Sequence, residues 1–476
     1  MVMGELEEET EVLVIGGGPG GYAAAFRAAD LGMDVTMVDT GERPGGECLY
    51  RGCIPSKALL YIADLIHDTG RSKEMGISFE KPVIDPDRIR EWKDEVIDQL
   101  TKGLVTLSER RGVQLIRGRA VFEEPGKARV SDSDVSHIKY KHAIIATGSR
   151  PRPFKGTEFK KGGRVIDSEG ALSLPDIPES LLILGGGYIA MEMGTVYASL
   201  GTSVTIAVHR DRLLRGADPD LVEPLFRRVK ESFEAIHFNT RLTSIKEKKD
   251  SVDVTLEGEV EKQKQSFSRV MIAVGREPNT GDLGLENTKV QLDDRGYVKT
   301  DEQQRTADEH IFAAGDVAGQ PLLAHKAFRE GKVAAEVIAG LPSAFDARAI
   351  PAVVYTDPQV AWCGLTEEQA NKEDISVRVE RFPWKYSGRA LTMNERDGLT
   401  KLIIEPETGR ILGAGICGRN TEGLIAEAVL AVEMGALAED VGLSIHAHPT
   451  LTETLGEAAE RFMGTSTHIL PPKKRK

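Results

Sequence analysis

The chain has 476 residues, too many for one hydrophobic core, so we expect two to four domains. A net charge of −13 argues against nucleic acid as a partner, and the acidic stretch Met1–Glu11 lacks the basic segment of a signal or transit peptide. The apolar run at 12–25 is too short and too broken by glycine to span a bilayer, so we expect a soluble, cytoplasmic protein with no membrane partner.

The first predicted unit is a strand, a glycine-rich turn and a helix. A short apolar strand leads into Gly16, Gly18 and Gly21, which have the G-x-G-x-x-G spacing and open a helix at 22–31. These glycines permit a tight turn, close approach of a pyrophosphate and helix–strand packing, while the helix N–H groups bind phosphate. The next strand ends at Asp39, whose carboxylate can accept hydrogen bonds from a ribose. The pattern predicts a dinucleotide site.

A pair of cysteines follows directly. Cys48 and Cys53 are two of the four cysteines in the chain, and we expect both thiols at the start of one helix that includes Lys57. A helix N-terminus and a nearby ammonium both stabilise a thiolate, which favours a pair that cycles between disulfide and dithiol. The alternatives are a structural disulfide and half of a metal site. No secretory signal and no closely spaced further ligands accompany the pair, so we predict neither, and no metal.

A second nucleotide unit repeats the first. The chain can leave the first unit at a turn over 147–149, and an apolar strand at 181–184 then leads into Gly185 and Gly187. Ala190 takes the third small position before the next predicted helix. The repeat predicts a second dinucleotide site.

The acid expected after the following strand is missing from this second unit. Val208 stands in its place, and His209, Arg210 and Arg215 come after it. A carboxylate would repel a 2′-phosphate whereas cationic side chains attract it, so we predict NADP in preference to NAD. The alternative interpretation is a solvated basic surface turn.

Two more strand–turn segments complete the nucleotide-binding part. Residues 271–276 resemble the earlier exit turn, and the strand at 311–314 ends in Gly315 and Asp316. An isolated Gly-Asp pair is more often only a turn. After two dinucleotide units, however, its carboxylate can lie near a ribityl chain, and a helix at 324–339 can offer its N-terminus to a flavin.

The composition changes from residue 350, where short strand-like runs and helices occur without a glycine-rich turn. Near the end, His448 could exchange protons with a thiol, and Glu453 could fix its tautomer and raise its basicity. Two histidines in one loop are otherwise more often structural. Cys363 and Cys417 lie in apolar surroundings and are predicted to be inert, and the basic residues 473–476 are interpreted as a solvated tail.

The order of these pieces resembles the flavin-dependent pyridine nucleotide–disulfide oxidoreductases, and among them the dihydrolipoamide dehydrogenases. The resemblance covers nearly the whole chain, and its most specific stretches are 46–59, 315–326, 355–362 and 446–453. It implies an α/β fold with two Rossmann-like domains, for FAD and for NAD(P), and a C-terminal α+β dimerisation domain. The expected boundaries are 1–155 and 282–349 for the FAD domain, 156–281 for the NAD(P) domain and 350–476 for the dimerisation domain.

The resemblance assigns roles to the candidate catalytic residues. Cys48 would be the thiol that meets a dithiol substrate, and Cys53 the thiol against the flavin. In a homodimer, His448 and Glu453 would face the cysteines of the other subunit. Lys57 would sit near flavin N5.

Further contacts are implied in the same way. Lys57 would pair with Glu192, and Tyr188 would cover the flavin until nicotinamide displaces it. The other FAD contacts implied are Gly46, Ala120, Thr147, Gly148, Ser149 and Ala324. For the nicotinamide cofactor they are Ile189 and Gly275, beside the turn residues given above.

The activity implied is oxidation of dihydrolipoyl groups, carried on the lipoyl domains of a 2-oxo acid dehydrogenase complex, through the disulfide and FAD to NAD(P)⁺. One alternative is an NADPH-dependent disulfide reductase of glutathione-reductase type, against which Ser56 and His446 argue. Another is a non-catalytic flavoprotein assembly subunit, which the intact set of thiols, histidine and acid disfavours. Tyr50 and Arg51 depart from the family, which commonly has Asn and a small apolar residue there.

Overall fold

A computed structural model describes residues 7–470 of the protein, so the tail at 473–476 lies outside the described residues. A seven-stranded sheet dominates the N-terminal part and has the order β3-β2-β1-β6-β5-β4, with a later strand beside β6. The elements of this part are β1 (Glu7–Ile15), α1 (Pro19–Asp30), β2 (Val35–Asp39), α2 (Gly46–Arg51), α3 (Cys53–Arg71), α4 (Pro86–Arg110), β3 (Gln114–Arg117), β4 (Arg119–Glu124), β5 (Lys127–Ser131), β6 (His137–Ile145) and β7 (Ser149–Pro151).

The apolar run of β1 reflects burial on both faces of this sheet. β1 pairs in parallel with β2 and β6. Val12 and Val14 point to one face and pack with residues of α1, whereas Leu13 and Ile15 point to the other and pack with Phe122. A central parallel strand therefore shows no polar alternation.

The prediction that both cysteines share one helix was wrong. Cys48 lies in α2 and Cys53 begins α3, and Gly52 between them has φ −138° and ψ −107°, outside the helical region. A Cβ at Gly52 would lie 3.1 Å from the carbonyl oxygen of Glu47, so a side chain there would be crowded. The break turns the two helices so that both thiols still reach one cavity.

The second nucleotide unit has a parallel sheet of its own, in the order β11-β10-β9-β15-β8. An antiparallel three-stranded sheet, β12-β13-β14, which we did not predict, is inserted before β15. The elements are β8 (Val165–Ile166), α5 (Ser168–Leu172), β9 (Ser180–Leu184), α6 (Tyr188–Ser199), β10 (Ser203–Ala207), α7 (Pro219–Ser232), β11 (Ala235–His237), β12 (Arg241–Glu247), β13 (Val252–Glu257), β14 (Lys264–Phe267), β15 (Arg269–Ile272) and β16 (Arg276–Pro278).

The chain then returns to the first sheet. β17 (Ile311–Ala313) pairs in parallel with β6, and α8 (Ala324–Ile338) packs on α1. The approach of α8 to α1 is close, since a Cβ at Gly331 would lie 2.2 Å from the carbonyl oxygen of Gly20. The first dinucleotide unit is thus built from two separate stretches of chain, as the resemblance implied.

The C-terminal part is an antiparallel sheet covered by helices, which confirms the predicted α+β type. Its strand order is β18-β19-β22-β21-β20, and α11 and α13 pack on it. The elements are β18 (Ala352–Val354), β19 (Gln359–Gly364), α9 (Glu367–Lys372), β20 (Arg378–Pro383), α10 (Gly388–Thr392), β21 (Leu399–Ile404), β22 (Ile411–Gly418), α11 (Thr421–Met434), α12 (Ala438–Leu443) and α13 (Glu453–Met463). Across residues 7–470, no helix has both the length and the apolar character needed to cross a membrane.

Candidate active site

A cavity of about 610 Å³ lies where the first sheet meets the second nucleotide unit. Twelve of the thirteen residues predicted to contact FAD line it: Gly16, Gly18, Asp39, Gly46, Lys57, Ala120, Thr147, Gly148, Ser149, Gly315, Asp316 and Ala324. The thirteenth, Gly21, lies behind the turn, where a Cβ would come within 1.8 Å of the Gly16 carbonyl oxygen. The structure therefore gathers residues from four distant stretches of chain around one space.

The chemistry of this lining fits FAD. Helix α1 begins after Gly18 and helix α8 after Leu323, and no side chain caps either N-terminus, so their first N–H groups remain free for oxygen acceptors. Gly18 and Gly46 lie so close that a Cβ on Gly46 would be 2.5 Å from the Gly18 Cα, which keeps side chains out of the space beside the turn. Asp39 accepts hydrogen bonds from the N–H groups of Gly17 and Gly41, both at 2.6 Å, which holds its carboxylate at the end of β2.

Cys48 and Cys53 line the same cavity, and both are partly exposed. A hydrogen bond from Cys48 lowers the pKa of the Cys53 thiol; burial opposes this shift, and the Lys57 ammonium assists it. The same interaction, together with burial, raises the pKa of Cys48. When the pair is a dithiol, Cys53 therefore ionises before Cys48.

Lys57 holds its position through a two-oxygen contact with Glu192. The Lys57 ammonium donates to both carboxylate oxygens at 3.0 Å, and the N–H of Tyr355 donates to one of them at 3.1 Å. Glu192 is only 2% exposed, and the ammonium lies 4.4 Å from the centre of the Tyr355 ring. Glu192 comes from α6, so the second unit positions the cation beside Cys53 in α3.

Replacing Lys57 with methionine should raise the pKa of Cys53, since an opposite charge this close favours the thiolate. The lowered pKa of Cys53 keeps the thiolate present to lower pH than an ordinary thiol, and that thiolate is lost as pH falls through this pKa. In Lys57→Met the loss should therefore occur at higher pH. The pH dependence of Cys53 alkylation by iodoacetamide in the anaerobically reduced protein, followed by mass spectrometry, measures the shift. Lys57→Arg keeps the charge and serves as the control, and identical profiles for all three proteins would contradict the assigned cause.

A series of hydrogen bonds that we did not predict links the two nucleotide units next to Cys48. Arg276 donates to the Ser149 hydroxyl oxygen at 2.8 Å and to the Glu47 carboxylate at 3.1 Å. The Ser149 hydroxyl in turn donates to Asp316 at 2.6 Å. Arg276 thereby ties the turn after β15 to the residue just before Cys48. From the sequence we interpreted that turn only as the point where the chain leaves the second unit. Its residues give no sign of a contact with a residue more than two hundred positions earlier.

Tyr50 and Arg51, the departures from the family pattern, lie at the rim of this cavity. The Tyr50 hydroxyl donates to the Pro44 carbonyl oxygen at 3.1 Å, and Arg51 contacts Glu169 at 3.4 Å. Tyr50 therefore holds the segment before Cys48, whereas Arg51 links the segment between the two cysteines to α5.

The residues predicted for the nicotinamide cofactor surround the second glycine turn. Gly185 begins the turn, Gly187 is the N-cap of α6, Tyr188 and Ile189 begin that helix and line the cavity, and Ala190 is buried behind them. Tyr188 is 39% exposed and stands between the two units. Gly275 follows β15 with φ 125°, a conformation that favours glycine.

Val208 occupies in the second unit the place that Asp39 occupies in the first. The Asp39 carboxylate lies against Gly17, and the Val208 side chain packs against Gly186 and is 3% exposed. His209, Arg210 and Arg215 are exposed, and within residues 7–470 none has an acidic partner. The place of a ribose-binding acid is therefore apolar, and cations that form no ion pair in the described part of the chain lie nearby in sequence.

The histidine loop has two differently placed histidines. His448 Nδ1 lies 2.9 Å from Glu453 Oε1, and the N–H of Thr450 donates to the other carboxylate oxygen at 2.7 Å. The side chain of His448 is 72% exposed, whereas His446 is held against Glu427 at 2.8 Å and is largely buried. Within the described residues, neither His448 nor Glu453 lines the cavity of its own chain.

Comparison with known proteins agrees with this architecture. The family model for pyridine nucleotide-disulphide oxidoreductases matches residues 10–331, and the model for their dimerisation domain matches residues 350–459. A dihydrolipoyl dehydrogenase of Vibrio cholerae is 44% identical over 474 residues, which cover 99% of each chain. One of Geobacillus stearothermophilus is 45% identical over 471 residues, 99% of this chain and 100% of its own. The crystal structure of LpdA from Mycobacterium tuberculosis has a TM-score of 0.88 at 26% identity and covers 95% of this chain and all of its own.

Proposed function

Because the chain belongs to the pyridine nucleotide-disulphide oxidoreductase family, we propose that it oxidises dihydrolipoamide through the Cys48–Cys53 pair, as a dihydrolipoyl dehydrogenase. The observation that carries the proposal is the location of both thiols, beside Lys57, in the cavity between the two nucleotide units. Family membership implies FAD and a pyridine nucleotide as cofactors. When bound, FAD would supply an acceptor for the electron pair of the dithiol, and the pyridine nucleotide would supply the final hydride acceptor.

The protein's own part begins at the disulfide form of the pair. A thiolate of the substrate attacks Cys48 Sγ, forms a mixed disulfide and releases Cys53 as a thiolate. The Lys57 ammonium, which lowers the pKa of Cys53, stabilises this thiolate and makes Cys53 the better leaving group. The second substrate thiol then displaces Cys48. The substrate leaves as a disulfide, and the chain retains a dithiol.

His448 is the group proposed to take the substrate proton. Nδ1–H donates to Glu453, which leaves Nε2 free as the base and stabilises the imidazolium that forms. Burial opposes a low pKa at Glu453, but hydrogen bonds from the Thr450 N–H and from His448 outweigh it, so the acid stays ionised. Because His448 is exposed and does not line its own cavity, we propose that it serves the thiols of a partner subunit.

The surface beside this loop supports a homodimer. Leu430, Met434, Leu443 and Ile445 are all more than 60% exposed and lie on α11, on α12 and in the loop after it. A cluster of large exposed apolar residues is typical of a protein–protein interface. The proposed homodimer would bury them and bring two histidine loops to two cavities.

We propose the domain boundaries that the sequence predicts: 1–155 with 282–349 for FAD, 156–281 for the pyridine nucleotide and 350–476 for dimerisation. We also propose lipoyl domains of a 2-oxo acid dehydrogenase complex as the partners, on the strength of the relatives' names. A cytoplasmic location remains part of this proposal.

We expect NADP⁺ to be preferred over NAD⁺ by about a hundredfold in kcat/KM, since each of two charge-assisted hydrogen bonds contributes about 1.5–3 kcal/mol and exposure reduces the sum. Val208 presents no carboxylate to repel a 2′-phosphate, and Arg210 and Arg215 form no ion pair in the described residues. Steady-state kinetics with both cofactors measure the ratio.

The matched variant is Val208→Glu with Arg215→Pro, which should lose NADP⁺ and gain NAD⁺. A glutamate at 208 would stand where Asp39 stands in the first unit. A wild-type chain that already favours NAD⁺ would mean that the arginines point into solvent. Turnover of glutathione disulfide with NADPH, faster than that of lipoamide, would instead support the glutathione-reductase alternative.

A further inference from the structure

The loop after β10, residues 208–218, which we name the nucleotide loop, is attached on its inner side to the second glycine turn. The N–H of Leu214 donates to the Gly186 carbonyl oxygen at 2.8 Å. Val208 and Leu213 also pack against Gly186, where a Cβ would lie 2.8 Å and 3.3 Å from their methyl groups. The backbone of the loop is therefore fixed relative to the turn that would meet a pyrophosphate.

The outer side of the nucleotide loop is attached to the C-terminal domain. Arg212 pairs with Glu368 in the first turn of α9. The Asp218 carboxylate accepts hydrogen bonds at 3.0 Å from the N–H groups of Glu367 and Glu368, and so caps α9 from another domain. Gly216 lies under Trp362, whose ring would be 3.1 Å from a Cβ there.

A buried lysine holds the end of the loop in place. Lys401 of β21 is 1% exposed, and its ammonium lies 2.8 Å from Asp218, 2.9 Å from Asp220 and 2.5 Å from Glu367. Arg381 of β20 pairs with Asp220 at 2.7 Å and with Glu367 at 2.5 Å. The three carboxylates lie close enough together to bind a metal ion, but the Lys401 ammonium already contacts all three. Because each of these charges contacts several partners, the cluster fixes how α7 packs against the C-terminal sheet.

We propose that the C-terminal domain positions the nucleotide loop for the pyridine nucleotide, with Glu368 and Asp218 as positioning residues. The inference rests on the proposed function, because it takes Arg210 and Arg215 of this loop as the contacts to the cofactor. An exposed arginine binds an anion weakly unless its backbone is held, since ordering the loop would otherwise oppose binding. Arg212, which lies between the two, is the residue through which α9 holds that backbone.

The test is isothermal titration of NADP⁺ and NAD⁺ into the purified holoprotein, with Glu368→Gln and Asp218→Asn as variants. The exposed pair with Arg212 contributes about 1 kcal/mol at most, so Glu368→Gln should raise the Kd of NADP⁺ by about threefold to fivefold. Asp218→Asn removes one acceptor and a buried charge, and should raise it by about tenfold. Reduction of the protein by dihydrolipoamide without nucleotide should stay at the wild-type rate.

Two controls separate positioning from general damage. Asp253→Asn breaks the exposed pair with Lys248, 2.5 Å long and at the end of β12 and β13 that is remote from the nucleotide loop, and should change neither Kd. Glu368→Asp should restore part of the lost affinity. A Kd for NADP⁺ within twofold of wild type in Glu368→Gln would overturn the inference, even if Asp218→Asn proved too unstable to titrate. So would an equal loss in the dithiol reaction.

Failure of the proposed cofactor preference and failure of the positioning inference give different results. The preference is judged by the ratio of the two wild-type Kd values, whereas the positioning inference is judged by the change in Kd on substitution. A wild type that prefers NADP⁺ but keeps its Kd in Glu368→Gln would refute the positioning inference alone, whereas a wild type that prefers NAD⁺ would refute both.

Discussion

Cys48→Ser should reduce turnover of dihydrolipoamide to background while FAD stays bound. The substituted chain has no disulfide for the substrate to attack, and a serine hydroxyl cannot replace a thiol in thiol–disulfide exchange. Cys48 lies at the cavity wall and not among the glycines of the first turn, so the space for the cofactor is retained. Steady-state lipoamide kinetics and the flavin absorbance of the purified variant measure the two effects.

The matched control is Cys363→Ser. Cys363 is 1% exposed on β19, and burial raises the pKa of its thiol to about 12, so it carries no thiolate near neutral pH. Activity in this variant should stay close to wild type at temperatures where it remains folded. Near-normal lipoamide turnover in Cys48→Ser would refute the proposed function.

His448→Gln should lower turnover by about two to four orders of magnitude, the usual contribution of a general base. Glutamine keeps a donor toward Glu453 but cannot take up a proton. The matched control is His446→Gln, because His446 is largely buried against Glu427 and should act only through the shape of the loop. A larger loss in His446→Gln would show that the wrong histidine was assigned.

The same pair of substitutions tests the proposed dimer. Inactive Cys48→Ser chains mixed with inactive His448→Gln chains should regain activity, because each heterodimer holds one cavity with both functional groups. The expected recovery is one good site per heterodimer. No recovery after verified subunit exchange would place both groups on one chain.

The cysteine region illustrates what the sequence can predict. The glycine spacing, the two thiols and Lys57 are local signals, and the structure gathers them around one cavity. The break at Gly52 was missed because Pro55 and the following residues favour a helix, whereas the choice between one helix and two depends on how Glu47 and Cys48 pack. Local propensity yields to tertiary contacts there.

Contacts between distant segments were missed for a different reason. Arg276 and Lys401 meet partners more than one hundred positions away, and neither lies in a motif. In the sequence, Asp218 and Glu367 resemble ordinary residues of helix starts, because Asp218 directly precedes α7 and Glu367 lies in the first turn of α9. A single sequence shows which residue types suit a helix end, but it does not show which other domain that end faces.

If dihydrolipoamide passes its electrons to the Cys48–Cys53 pair, differential alkylation of the four cysteines should detect the change. The oxidised protein is treated with iodoacetamide before and after anaerobic addition of dihydrolipoamide, and each cysteine is quantified by mass spectrometry. We expect Cys48 and Cys53 to become labelled only after the dithiol is added, and NADP⁺ then to restore their protection. Cys363 and Cys417 should stay unlabelled in the folded protein. Equal labelling of Cys48 and Cys53 with and without dihydrolipoamide would contradict this transfer of electrons.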